Sequence, residues 1–321
     1  MKELVLTALG GPEGFSLRDG APRALEPHEI RVRNTTIGVN FIDIYQRKGL
    51  YPVGLPAVLG QEGAGIVLEA GATAPFRKGD RVAYLAGAGA YAGETVVDAG
   101  RAARIPDAIP DEIAAAAFLK GLTAEMLLRQ VYTLKSGDSA LVTAAAGGVG
   151  VLLCQWAVHL GARVIAVVGS AAKEAAVRES GVADVIDRSK TADLAGAVRT
   201  LTNGRGVDVA YDSVGAATFE ASLDSLALRG MMVSYGNASG PVPPIAPLEL
   251  TRRGSLSLAR PSLFHYALPD RLPAMATAVF DLIAAGVLKP RIAATFALAD
   301  GAEAHRLLEG GTTIGSIILK P

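Results

Sequence analysis

The rhythm of apolar and polar positions changes near residue 120. Before it, short alternating or β-branched runs at 4–8, 30–39, 65–70, 81–85 and 94–97 are separated by turns containing Gly and Pro. That is the pattern of half-buried β-strands. A single helix is predicted within this region at 41–48, with Asn40 as its N-cap. A helix from Ile113, preceded by Pro110-Asp111-Glu112, leads towards a second over 123–132.

From there apolar strands alternate with helical stretches. Strands are predicted at 140–143, 163–168, 184–186, 207–212 and 231–235, with a sixth near 255–258. The intervening helices run to Leu160 and over 173–179, 193–201 and 219–226. Near-continuous apolar strands in alternation with helices indicate a parallel sheet covered on both faces. The Pro-rich segment 241–247 reads as a rigid loop. After residue 261 a helix at 273–286, a strand near Thr295, a helix at 301–308 and a strand at 316–319 remain. The doubly wound sheet is complete without them, so this tail is expected to pack on the first domain.

The 321 residues suffice for two domains with separate cores, and half of them are hydrophobic. Lys plus Arg and Asp plus Glu both number 31, for a net charge of zero. This balance offers no electrostatic reason for nucleic acid or an anionic membrane as partner. The first apolar run is short and ends at Gly10-Gly11-Pro12, so neither a signal segment nor a membrane span is expected. Cys154 is the only cysteine, which precludes an intrachain disulfide and makes a reducing, cytoplasmic location the expectation.

The segment Ala144-Ala145-Ala146-Gly147-Gly148-Val149-Gly150 follows a predicted strand and opens a helix. It keeps the roles of the dinucleotide-binding G-x-G-x-x-G string although Ala145 replaces the first glycine. Gly147 lets backbone approach a pyrophosphate, and Gly150 lets helix pack on strand. The helix N-terminus then presents amides to phosphate. After the next strand the chain reads Val168-Gly169-Ser170, with Lys173 beyond. The carboxylate that accepts from a ribose 2′-hydroxyl is not there, and a cation stands where a 2′-phosphate would be. NADPH is therefore expected over NADH, with Ser170 and Lys173 on the 2′-phosphate. The plainer alternative is that Lys173 is a solvated helix residue.

Zinc as a Lewis acid needs Cys, His and carboxylate ligands. No cysteine precedes Cys154, and His28, His159, His265 and His305 are scattered. Without a metal or an evident base, an unactivated alcohol is a poor substrate. An electron-poor acceptor needs less help, because the cofactor carries the chemistry. Reduction is therefore the expected direction.

Segments along the whole chain resemble the zeta-crystallin-like quinone oxidoreductases, zinc-free members of the medium-chain dehydrogenase/reductase superfamily. They are residues 37–43, 47–52, 60–65, 118–124, 144–150, 211–215, 234–237 and 260–263. The resemblance implies an α/β fold with a GroES-like β-barrel catalytic domain, residues 1–122 and 262–321. A doubly wound Rossmann domain with a six-stranded parallel sheet, residues 123–261, is implied as an insertion, with the active site in the cleft between them. Zinc-containing relatives carry Cys and His ligands at the positions of Asn40 and Gln61. By resemblance, Asn40, Thr123 and Tyr235-Gly236-Asn237 surround the nicotinamide half of NADPH, Gly147, Gly148 and Val149 hold the pyrophosphate, and Val214 lies beside the cofactor. Asn40, Tyr45 and Tyr51 would line the acceptor pocket, the tyrosines offering a flat apolar face and a hydroxyl. Tyr45 suits a packed helix position equally well.

Two departures stand out. Arg188 replaces a tyrosine common in relatives, and Glu309-Gly310-Gly311-Thr312 stands where some relatives carry an arginine that reaches the cofactor. Arg188 is expected to compensate through a bidentate phosphate contact. The implied activity is metal-free reduction of quinones by NADPH. Alternatives are reduction of α,β-unsaturated carbonyls by the same site, or a catalytically idle NADPH-binding or RNA-binding protein. A homodimer through the Rossmann edge strand, at 254–258, is also implied.

Overall fold

A computed structural model describes residues 1–21 and 23–321. The chain divides into two compact units. One comprises Met1–Leu122, Ala267–Gly286 and Pro290–Pro321, the other Thr123–Tyr266 and Val287–Lys289. The short piece Val287–Lys289 is tied to the second unit by the Lys289 N–H, which donates to Gln155 Oε1 at 2.9 Å.

In the second unit six parallel strands lie in the order Asp184–Asp187, Arg163–Val168, Ser139–Val142, Val207–Asp212, Leu226–Ser234 and Ser257–Ala259. The first strand in sequence, Ser139–Val142, is central. Its neighbours lead away in opposite directions, which makes the topological switch point at its C-terminal end. Leu141, Ile165, Val167, Phe219 and Met232 fill the core beneath the helices. The sixth strand begins later than the expected 254 or 255. Gly254 at φ +114° and Ser255 at φ +57° hold the backbone in the left-handed region, where a strand cannot run. The expected helix at 173–179 is shorter, Glu174–Arg178, and is entered through a 3₁₀ turn, Ala171–Lys173. The Pro-rich loop ends where Pro247 starts a helix, Pro247–Arg252, at the position that tolerates a missing N–H.

The first unit is built on a seven-stranded sheet. Its main path runs Ile292–Ala297, Ser316–Lys320, Glu29–Val39, Glu62–Ala70, Arg81–Leu85 and Ala102–Arg104, and Glu94–Asp98 also pairs with Glu29–Val39. The long strand Glu29–Val39 shifts register twice against Glu62–Ala70, which lets it bend and serve several partners. Phe15–Asp19, Lys2–Leu6 and Ala57–Val58 form a small second sheet. Leu6, Ile30, Ile37, Val67 and Tyr84 are fully buried between these layers. The two helices expected between 113 and 132 are one run, Asp111–Glu125, continued by a π-helical turn, Met126–Val131. Its residues 114–117 are four alanines and no proline interrupts it, so nothing forces a break. Among the described residues no helix is long and apolar enough to cross a membrane.

Candidate active site

In the second unit the strand Ser139–Val142 turns sharply into the helix Gly148–His159. Ala144, at φ +48°, carries the left-handed step of the turn. The glycines here have different jobs. A β-carbon at Gly150 would lie 2.4 Å from Ala144 O and 2.7 Å from Ala145 Cα, so the helix packs on the turn only with glycine there. A β-carbon at Gly147 would meet only Ala144 O, at 3.2 Å. The open side of Gly147 is what a phosphate approaching the backbone requires.

At the end of the strand Arg163–Val168, Ser170 precedes the 3₁₀ turn that carries Lys173. Burial lowers the Lys173 ammonium from its usual range, and a cation partly removed from water gains from an anion beside it. Arg188 is exposed, and its N–H donates to Val168 O at 2.9 Å, which places it next to the same strand end. The expectation that no carboxylate stands here holds along the strand but not across it. Asp187, on the neighbouring strand, is the register partner of Val168. Its Oδ1 accepts from the Ser189 N–H at 3.0 Å and Ser189 Oγ at 2.7 Å.

Asp212 organises the turns at the next strand end. It is fully buried; Oδ1 accepts from the Val214 and Gly215 N–H groups at 2.9 Å each, and Oδ2 accepts from Thr218 Oγ1 at 2.6 Å and Ser222 Oγ at 2.7 Å. The backbone O of Asp212 accepts from the Tyr235 N–H at 2.8 Å, and Arg260 Nη1 donates to Ser234 O at 2.8 Å. Val214 and the Tyr235-Gly236-Asn237 turn are thereby held from both sides. Thr123, buried in the helix Asp111–Glu125, belongs to this unit as well.

In the first unit Asn40 precedes the helix Phe41–Arg47, and its N–H donates to Asp43 Oδ2 at 2.8 Å. Tyr45, on this helix, meets Tyr51 edge to face with ring centroids 5.5 Å apart. Tyr45 is almost wholly buried and Tyr51 half-buried. The Asn40 Nδ2 donates to Glu62 Oε1 at 2.9 Å. Gln61 Nε2 donates to Gln46 Oε1 at 3.0 Å and Gly87 O at 2.7 Å. Among the described residues no three His, Cys, Asp or Glu side chains form a group that could hold a metal.

Behind the helix, Tyr91 Oη donates to Asp43 Oδ2 at 2.9 Å and also lies 2.9 Å from His305 Nε2. Burial pushes the Asp43 carboxyl up to about 7 and the His305 imidazole down to about 3. Arg47, fully buried, pairs with Glu309, which also accepts from Lys48 at 2.5 Å. Glu309 is thus a structural partner of the helix that carries Tyr45. Sequence reading gave no role to Glu62, Lys120, Asp212 or Arg260, although all four stand in or beside the segments it singled out. Charged residues inside apolar runs are the signal that could have found the first three.

Residues 26–107 match the alcohol dehydrogenase GroES-like domain, and residues 148–283 match the family described as zinc-binding dehydrogenase. The chain is 47% identical to a quinone oxidoreductase of Pseudomonas aeruginosa, with 100% of this chain and 99% of that one covered. It is 42% identical to a 2-haloacrylate reductase from a Burkholderia species, covering 99% and 98%. Among solved structures, quinone oxidoreductase of Escherichia coli complexed with NADPH superposes with a TM-score of 0.97 at 42% identity, with 100% of both chains covered.

Proposed function

Because the chain belongs to the quinone oxidoreductase family of the medium-chain dehydrogenase/reductase superfamily, we propose that it reduces quinones with NADPH and without a metal. When bound, NADPH supplies a hydride from its nicotinamide ring. Gly147, Gly148 and Val149 take the pyrophosphate, and Ser170, Lys173 and Arg188 take the 2′-phosphate. Thr123, Val214, Tyr235, Gly236 and Asn237 border the nicotinamide half together with Asn40. Tyr45 and Tyr51 offer the acceptor ring an apolar face, and Asn40 offers it a hydrogen bond. Reducing a quinone to a hydroquinone takes two electrons, both carried by the hydride, and a further proton, which water provides. No side chain need be an obligatory acid.

The observation that carries the metal-free reading is the donor set. At Asn40 and Gln61, which by resemblance match the ligand positions of zinc-containing relatives, amides stand, and both are engaged by Glu62, Gln46 and Gly87. A second reading, reduction of a conjugated alkene, is favoured by the full-length likeness to a 2-haloacrylate reductase. Oxidation of NADPH and of NADH, followed with a small benzoquinone and then a simple alkenal, separates them. Faster turnover with NADPH and the quinone is expected. Turnover with the alkenal alone moves the activity to alkene reduction, and NADPH binding without turnover leaves a binding protein. Lys173→Ala is expected to weaken NADPH about tenfold, roughly 1.4 kcal/mol, and to leave NADH unaffected.

The reading extends to a cytoplasmic homodimer. Support comes from the edge position of Ser257–Ala259 and from three leucines of the same unit, Leu228, Leu248 and Leu258, which are 82%, 55% and 37% exposed. Unpaired strand edges and exposed apolar side chains favour a second copy. Light scattering of the purified chain with Leu228→Lys tests it, and an unchanged dimer mass would remove Leu228 from the interface.

A further inference from the structure

Glu62 and Lys120 form an ion pair inside the first unit. The side chain of Glu62 is wholly inaccessible and that of Lys120 is 6% exposed, with Nζ 2.7 Å from Oε1. Glu62 has two more donors, the Leu119 N–H on Oε2 at 2.7 Å and Asn40 Nδ2 on Oε1 at 2.9 Å. The strand partner of Glu62 is Gly38, where a β-carbon would lie 2.3 Å from Oε1. Only glycine leaves the carboxylate its place there.

A primary amide has a donor end and an acceptor end of almost the same shape, and only its surroundings decide which way round it sits. An ionised carboxylate accepts and cannot donate. Facing Glu62, the Asn40 amide must present Nδ2, so its Oδ1 is held away from the carboxylate. Lys120 keeps the arrangement one-sided, because its ammonium, 2.7 Å from Oε1, only donates and so holds Glu62 as the acceptor. We propose that Glu62 and Lys120 are positioning residues that fix the orientation of the Asn40 carboxamide for the acceptor. The proposal rests on the reading above that Asn40 belongs to the reaction site.

The test is a double-mutant cycle on quinone turnover and NADPH binding. Glu62→Gln offers one carbonyl oxygen to three donors, and the Asn40 amide is then free to turn over. We expect kcat for the quinone to fall about ten- to a hundredfold, the scale of a misplaced group in a reaction site, with NADPH affinity within threefold of the parent. In an Asn40→Ala background, Glu62→Gln is expected to add nothing. The pair variant Glu62→Gln/Lys120→Met buries no charge, folds without an orphaned ammonium, and is expected to be as slow as Glu62→Gln. Equal losses from Glu62→Gln with and without Asn40 would overturn the proposal, since the effect would then be general to the fold. Full-speed turnover in Glu62→Gln would overturn it too, while leaving Asn40 in the site. Full-speed turnover in Asn40→Ala would instead remove Asn40 from the site and the proposal with it.

Discussion

Two aspartates are equally buried, yet they live in opposite circumstances. Asp212, at the end of a Rossmann strand, accepts four hydrogen bonds from two amides and two hydroxyls. Asp43, under the first helix of the other unit, accepts two bonds, both on Oδ2, and its Oδ1 is buried without a partner among the described residues. Nearby, Arg47 Nε and Nη1 and His305 Nδ1 likewise have no partner among the described residues. Burial is therefore not what distinguishes them; the number of donors is. A saturated carboxylate acts as a fastener for the loops that donate to it, whereas a half-satisfied one is a site where a proton can be held.

The contrast is broken most severely at the saturated end. Asp212→Ala leaves two amides and two hydroxyls without their acceptor and is expected to cost roughly 3 kcal/mol or more of unfolding free energy. Urea unfolding measures that loss, and NADPH affinity is expected to fall with it because the Val214-Gly215 turn loses its anchor. Asp43→Asn is expected to cost far less below neutral pH, since the amide oxygen still accepts from Asn40 and Tyr91.

The pH dependence sharpens the same comparison. Burial raises Asp43 from 3.8 to about 7, so its contribution to stability is full below 3.8 and is lost as pH rises to 7. Burial lowers His305 from 6.5 to about 3, so its contribution is full above 6.5 and is lost as pH falls to 3. Between 3.8 and 6.5 the two oppose each other. Relative to the parent, His305→Asn is expected to lose stability as pH rises through that window, and Asp43→Asn to gain it. Denaturant midpoints at several pH values read both slopes, and slopes of one sign in both variants would end the assignment. The smallest effect concerns the phosphate turn. Gly147→Ala is expected to weaken NADPH about tenfold, roughly 1.4 kcal/mol, at almost unchanged stability. Gly150→Ala is expected to destabilise the fold itself by roughly 1–3 kcal/mol. Calorimetric titration and thermal unfolding of the two variants separate these outcomes.

Much of this was legible in the sequence because it is local. The alternation of strands and helices after residue 123, the turn at Ala144–Gly150 and the cap position of Asn40 are each set by neighbours within a few residues. What escaped was lateral. Asp187 stands beside Val168 only because two parallel strands pair in that register. Glu62 meets Lys120 across 58 positions, and Tyr91 meets His305 across 214. No periodicity reports such pairings. The late start of the sixth strand escaped for another reason, since left-handed backbone at a non-glycine such as Ser255 has no compositional mark.

The strand Ser316–Lys320 lies inside its sheet, between Ile292–Ala297 and Glu29–Val39. A nascent chain emerging from its ribosome has all of Thr123–Tyr266 available before that strand exists. The Rossmann segment, contiguous in sequence, is free to collapse early. The N-terminal strands must wait with an unfilled slot, and closing it spans almost the whole polypeptide, the kind of long-range contact that forms slowly. The pairing of Ser316–Lys320 with Glu29–Val39 therefore waits on synthesis of the later strand, whereas no pairing within Thr123–Tyr266 does.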